Sequence, residues 1–288
     1  MIRAFLHIMR WPNLIIVAGV QGLIFITLIR SSESVLGVGE MLLLTLITML
    51  IAGGGYMIND YYDYAIDAIN RPGQRIAGNQ WTLKEVLRFY WYVVAFGGIL
   101  SLMLALIMSL MPFLLLYPIA VVALWAYSRG IKCLPVIGNV WVALFCAGVV
   151  LILPLPDWVS GNADGVSPDV LYYAAFAFLT TIYREVVKDI EDKEGDAALG
   201  CRTLVVRYGV FSGKLTALLM VLLLMVAIYL WASMQAESSV EMALNVLQGF
   251  IITSMAFVWW AKDKTYFRVA SWLIKGIMVL GTFVLLLL

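Results

Sequence analysis

Charge is scarce in this chain. Asp, Glu, Lys and Arg make up 13% of its 288 residues, against about 25% in soluble domains. So few charges cannot cover a water-facing surface, which excludes a soluble globular protein. Histidine occurs once, at His7, and cysteine three times, at Cys133, Cys146 and Cys201. That odd, scattered set offers neither zinc-ligand spacing nor a disulfide pattern. His7 reads as an interfacial residue of an amphipathic N-terminal lead. A net charge of +1 says nothing about partners; no nucleic acid and no obligate protein partner is expected.

Apolar residues are abundant instead, at 63%, with a mean hydropathy of +0.96. Crossing a bilayer as a helix takes ~20 such residues. Nine stretches qualify: 13–30, 40–58, 89–110, 112–127, 137–154, 170–187, 214–232, 246–261 and 269–288. The expected fold is therefore an all-α membrane protein of nine transmembrane helices, with 1–288 forming one domain. The first stretch is long enough to span and has no small-residue cleavage site behind it, so no cleavable signal is expected.

Charge sets the orientation. If the chain crosses nine times, all of the 19 basic residues except Arg30 and Lys275 fall on one side. The opposite loops 155–169 and 233–245 carry Asp157, Asp164, Asp169, Glu237 and Glu241 and no Lys or Arg. Positive loops stay cytoplasmic, which puts the N-terminus inside and the C-terminus outside, in the cytoplasmic membrane. Lys275, within the last stretch, is expected to snorkel.

Two long polar segments on the basic side carry the possible chemistry. The first runs Asn59-Asp60-Tyr61-Tyr62-Asp63-Tyr64-Ala65-Ile66-Asp67 and reaches Asn70-Arg71-Pro72. On a helix, Asn59, Asp63 and Asp67 share one face, within about 80° of arc, while Asp60 points about 100° from Asn59. Pro72 is expected to end that helix. The second runs Arg184-Glu185-Val186-Val187-Lys188-Asp189-Ile190-Glu191-Asp192-Lys193-Glu194-Gly195-Asp196. Asp189, Asp192 and Asp196 again share a face, with Glu185 one turn earlier. A charge run at a helix end is ordinarily a solvated cap. Two such runs, each at the basic-side end of a span, argue for more. Crowded carboxylates repel one another and call for a cation between them. Mg²⁺ suits, because it takes oxygen ligands and bridges to substrate phosphates. Lys132, Arg184, Lys188 and Arg71 are candidates to neutralise the remaining phosphate charge.

These strings resemble the UbiA superfamily of intramembrane prenyltransferases over nearly the whole chain. Asn59, Asp60, Asp63 and Asp67 match its NDxxDxxxD, and Asp189, Asp192, Gly195 and Asp196 its DxxDxxGD. Arg10 and Asn13 match the R-x-x-N that leads into the first helix. Tyr127 to Lys132 is similar to the family's Tyr…Lys loop, and Gly138-Asn139 opens the fifth span as in relatives. The second motif is most similar to the digeranylgeranylglyceryl phosphate synthase branch and its bacterial relatives. One departure leaves the acceptor open: Gly73-Gln74-Arg75-Ile76-Ala77-Gly78 lacks the second Pro and the Ser of the archaeal pattern.

The resemblance implies nine helices around a central cavity, capped on the cytoplasmic side and open to lipid. It implies Mg²⁺-dependent transfer of a prenyl group from its diphosphate to a lipid or aromatic acceptor through an allylic carbocation. The site would comprise Asn59, Asp60, Asp63, Asp67, Asp189, Asp192 and Asp196, with metal on Asp63, Asp67, Asp189, Asp192 and Asp196. Asn13, Arg71, Tyr127, Arg129, Lys132, Asn139, Arg184 and Lys188 would hold substrate. Gly53-Gly54-Gly55, just before the first motif, fits close helix packing. A transporter is the first rival, since acids inside membranes often mark ion pathways, but here they gather at one mouth. A CDP-alcohol phosphatidyltransferase would need D-G-x-x-A-R, which is absent. An aromatic prenyltransferase of the same superfamily stays open.

Overall fold

A computed structural model describes residues 2–29, 34–70, 76–162 and 166–288. Their secondary structure is helical. A membrane interior offers backbone groups no water, so the chain satisfies them within each helix. The helices are α1 (Ile2–Ile8), α2 (Trp11–Ile24, running on as a π-turn over Phe25–Ile29), α3 (Val38–Asn70) and α4 (Leu83–Met108). Next come α5 (Pro112–Arg129), α6 (Ile137–Leu151), the short α7 (Leu155–Val159) and α8 (Asp169–Ala198). α9 (Leu204–Ser233), α10 (Ser238–Trp260) and α11 (Lys264–Val284) complete the chain. Among the described residues, seven helices are long and apolar enough to cross a membrane: α2 with its π-turn, α3, α4, α8, α9, α10 and α11. The fourth and fifth expected spans correspond to shorter apolar helices, Phe113–Arg129 and Ile137–Leu151.

Two helices are longer than a bilayer requires. At 1.5 Å per residue, α3 with 33 residues and α8 with 30 reach about 50 and 45 Å, against a hydrocarbon core of about 30 Å. The surplus turns of each carry an acidic motif. Span and motif are thus one rigid element, and the carboxylates emerge at a fixed rotation from the buried part of the helix.

Local sequence sets the helix starts. Thr82 and Glu85 form a reciprocal capping box on α4, with the Thr82 N–H donating to Glu85 Oε2 at 2.8 Å. Thr203 caps α9, and Asp263 accepts from the backbone of Thr265 and Tyr266 at the start of α11. Within α9, Gly209 at φ +88° breaks the helix and sets Leu204–Tyr208 off from the rest. Only glycine takes that backbone conformation without a steric penalty.

The chain forms two compact units, Met1–Gly22 with Ser34–Lys132, and Leu23–Glu33 with Cys133–Leu288. In the first, α3 packs on α4 and α5 around Met57, Ile58, Val86, Tyr90 and Val93, joined by Ile8 and Met9. The glycine run on α3 permits this approach. A Cβ on Gly53 would run into the Met9 side chain, and one on Gly55 would sit 3.0 Å from Leu124 Cδ1. Residues 76–81 pack onto this core. Ile76, Ala77 and Trp81 are buried, and Trp81 stacks on Phe89 at 4.7 Å.

In the second unit α8 is the central helix, packed by α6, α9 and α11. Its first turn is anchored by Asp169, which accepts from Trp231 Nε1 at 2.7 Å and Gln235 Nε2 at 2.8 Å. Tyr173 hydrogen-bonds Thr282 and Tyr183 hydrogen-bonds Ser254, so its buried hydroxyls are paired. Lys275 Nζ lies 5.4 Å from the centroid of the Trp272 ring.

Candidate active site

The first acidic segment occupies the last turns of α3. Asn59 donates from Nδ2 to Asp63 Oδ2 at 2.8 Å, and Lys132 pairs with Asp63 while donating to Asn59 Oδ1 at 3.3 Å. The i, i+4 spacing places Asn59 and Asp63 side by side, and Lys132, from the single turn Ile131–Cys133 after α5, closes a three-residue cluster. Asp67, one turn on, is half-buried.

Asp60 leaves that row, as its 100° offset predicts. It pairs with Arg10 at 2.8 Å. The Arg10 guanidinium also lies 4.7 Å over the Tyr56 ring, and Asn13 donates to the Tyr56 hydroxyl at 3.3 Å. Burial works against the Arg10 charge, but Asp60, Tyr56 and Asp67 outweigh it and raise its pKa above the usual arginine range. Arg10 and Asn13 of the R-x-x-N string thus meet α3 through Tyr56, one turn before Asp60. Tyr56 was not among the expected site residues. Its only signal was that spacing.

Arg129, in the last turn of α5, is exposed and lies 5.1 Å from the Trp125 ring. Tyr127, in the same turn of α5, is half-buried. Arg71 lies outside the described residues.

The second acidic segment occupies the last turns of α8. Asn139, buried in the first turn of α6, donates from Nδ2 to Asp189 Oδ2 at 2.9 Å. Arg184 and Lys188 both turn to Glu185, at 2.7 and 3.9 Å. These two expected phosphate ligands therefore share a carboxylate one turn before Asp189. Asp192 and Asp196 are half-buried. Glu191, on the opposite face, is only 7% exposed and accepts from Arg268 Nε of α11 at 2.9 Å. No spacing in the chain signals this pair, because Glu191 and Arg268 lie 77 residues apart.

One expectation is corrected. Cys133 and Cys201 are not scattered but joined as a disulfide, their Cα atoms 4.6 Å apart. Cys133 lies just before α6 and Cys201 just after α8. The packing of α6 on α8 brings them together across a sequence separation of 68, which spacing could not reveal. Cys146 is the free cysteine.

Among the described residues, no group of three or more His, Cys, Asp or Glu could by itself hold a metal ion. Mg²⁺ takes one or two carboxylates and completes its shell with waters and phosphate oxygens. The donors in both segments are hard oxygens, so the residues present fit this ion.

Comparison with known proteins places the chain in a family. The profile of the UbiA prenyltransferase family matches residues 16–280. A digeranylgeranylglyceryl phosphate synthase of Korarchaeum cryptofilum is 33% identical over 251 residues, covering 86% of this chain and 85% of its own. That of Pyrococcus horikoshii is 36% identical over 209 residues, covering 72% and 69%. Among solved structures, a digeranylgeranylglyceryl phosphate synthase superposes with a TM-score of 0.69 at 22% identity, over 99% of this chain and 97% of its own. A UbiA homologue of Archaeoglobus fulgidus bound to DMAPP and Mg²⁺ gives 0.62 at 16% identity, over 99% of both chains.

Proposed function

The chain belongs to the UbiA prenyltransferase family and is an integral membrane prenyltransferase, and from there we propose that it moves a geranylgeranyl group from its diphosphate to the free hydroxyl of geranylgeranylglyceryl phosphate. The observation that carries this reading is the identity, above 30% over most of both chains, to enzymes named for that product. The two oxygen-rich segments on α3 and α8 supply what a diphosphate donor requires.

In the reaction, the allylic C1–O bond of the donor breaks and diphosphate leaves. The acceptor hydroxyl oxygen bonds to C1 and releases its proton. Asp63 and Asp67, and Asp189, Asp192 and Asp196, are the residues that would hold Mg²⁺, which when bound would supply positive charge for the diphosphate oxygens. Asn59 and Asn139 orient Asp63 and Asp189 by hydrogen bonds. Lys132, beside Asp63, adds a point charge for phosphate oxygens. Arg129, Arg184, Lys188 and Arg71 supply further positive charge, and Arg129 and Arg71 serve the acceptor phosphate. An arginine fork meets phosphate oxygens in bidentate fashion. Asn13 and Asp60 act through Tyr56 and Arg10 on the shape of α3. Tyr127 offers a ring face to the developing cation, an interaction worth ~0.5–2 kcal/mol. Apolar helices keep water, which would quench the cation, from the reacting carbon.

The same reading includes nine spans around a central cavity, an N-terminus in the cytoplasm, residence in the cytoplasmic membrane and action without an obligate protein partner. The charge asymmetry of the loops supports the orientation. The test is an acceptor panel with labelled geranylgeranyl diphosphate and Mg²⁺. Labelled digeranylgeranylglyceryl phosphate is the expected product. Prenylation of an aromatic acid with no reaction at the glycerol phosphate lipid would overturn the acceptor and leave the family intact.

A further inference from the structure

We propose that Cys133 and Cys201 are a reversible oxidation site, a dithiol whose disulfide form ties the start of α6 to the end of α8 and slows turnover. Part of this, the effect on turnover, rests on the prenyl-transfer reading above.

The same two helices are already joined at Asn139 and Asp189. Near the cysteines, the Arg202 N–H donates to the Cys133 carbonyl at 3.0 Å, and the Cys201 N–H donates to the Asp196 carbonyl at 2.9 Å. Cys201 is therefore bonded directly to the backbone of the last acidic residue of the second motif. The Cα separation of 4.6 Å lies within the range a disulfide spans without backbone movement. On the proposed topology both cysteines face the cytoplasm. Thiols there are kept reduced, and disulfides that do form are usually transient, catalytic or redox-sensing. A pair poised to close on that side is thus suited to reversible oxidation more than to permanent bracing.

The co-reactant is a low-molecular-weight disulfide. Cys133 is half-buried and Cys201 only 6% exposed, so the Cys133 thiolate attacks first. It bonds to one sulfur of the external disulfide and expels the other as a thiolate. The Cys201 thiolate then attacks Cys133 Sγ and expels the second. Two protein thiols lose two electrons, the external disulfide becomes two thiols, and the cysteine protons pass to those leaving groups. Once closed, the link restrains the turn that carries Asp196. Product release or a conformational step limits turnover in many enzymes, and a restrained turn at Asp196 would slow such a step.

The experiment uses the full-length protein in lipid nanodiscs, exposed to glutathione disulfide and then to dithiothreitol. Peptide mapping without reductant should show a Cys133–Cys201 linked peptide that the reductant removes, with Cys146 left unlinked. Hydrogen exchange of the backbone over 196–203 should slow in the linked form. Prenyl transfer should fall at least ~3-fold on linking and recover on reduction. Cys133→Ser and Cys201→Ser should turn over like the reduced protein under either condition. Glutathione adducts without a linked peptide would overturn the proposal. So would a linked peptide with unchanged exchange at 196–203, or with unchanged turnover in an active enzyme. If the reduced protein transfers no prenyl group, the proposed function fails, while linking and exchange still decide whether the pair is a reversible tie.

Discussion

Asn139 of α6 donates a hydrogen bond to Asp189 of α8 at 2.9 Å. Asn139 is 6% exposed, so its amide has little water to turn to, and the bond fixes which Asp189 oxygen remains for other partners. Hydrogen bonds to a charged group contribute about 1.5–3 kcal/mol, or roughly 10- to 100-fold in rate. Asn139→Ala should lower kcat by at least ~10-fold on that scale, and Asn139→Gln should recover part of the loss. Steady-state rates at saturating Mg²⁺ and donor decide it. A loss within twofold of wild type for Asn139→Ala would remove Asn139 from the site.

The two acidic segments should both be required. Asp63→Asn, Asp67→Asn, Asp192→Asn and Asp196→Asn should each lower turnover by at least ~10²-fold, close to 3 kcal/mol of transition-state stabilisation. Chelation of Mg²⁺ should abolish the reaction and its return restore it. Asp60→Asn supplies the contrast. Asp60 pairs with Arg10 away from the Asn59–Asp63 row, and the partly exposed pair contributes about 0–1 kcal/mol. Its loss should cost less than ~10-fold. Near-wild-type rates in any two of the first four variants, or equal losses at Asp60 and Asp63, would discredit this division of roles.

Much of this arrangement was legible in the chain. Periodicity put Asn59 with Asp63, and Asp60 apart from them, because a continuous helix fixes those angles. Hydropathy located the long helices because each must satisfy its own backbone. What stayed hidden depends on packing between helices. Nothing in the spacing of Cys133 and Cys201, or of Glu191 and Arg268, signals a contact, since each arises only once α8 is packed by α6 and α11. The shorter α5 and α6 are a different case. Their apolar stretches were legible: α5 starts at Pro112 as expected and runs two residues beyond its stretch to Arg129, while α6 starts at Ile137 as expected and ends at Leu151, where the chain turns over 152–154.

Orientation can be read by labelling. In a variant whose native cysteines are replaced, Ser160→Cys should react with a membrane-impermeant thiol reagent from outside intact cells. Asn79→Cys should react only after the membrane is opened. Both positions are exposed, whereas neighbouring Ala77 is buried and would resist reagent from either side. The opposite labelling pattern would invert the topology and move both acidic segments to the outer face.

Arg268 of α11 should act as a positioning residue for the second segment. Its Nε reaches Glu191, which lies on the face of α8 opposite Asp189, Asp192 and Asp196, so Glu191 does not share their row. Glu191 is buried and Arg268 is about half exposed, with its side chain at 50%. The pair itself therefore contributes little Coulomb energy. Removing the arginine matters for another reason: it strands a carboxylate that water reaches poorly, at a cost of about 1–3 kcal/mol. The helix can relieve that cost by rotating Glu191 outward, and any such rotation also turns the three aspartates. Arg268→Ala should thus raise the Mg²⁺ concentration needed for half-maximal rate severalfold, beyond any fall in thermal stability. Arg268→Lys should restore part of it by returning a cation. In Glu191→Gln the demand for the arginine disappears, so adding Arg268→Ala to it should cost less than Arg268→Ala does alone. Parallel measurement of melting temperature and Mg²⁺ dependence separates the two effects. A stability loss with unchanged Mg²⁺ dependence would make the pair a brace for α8 and nothing more.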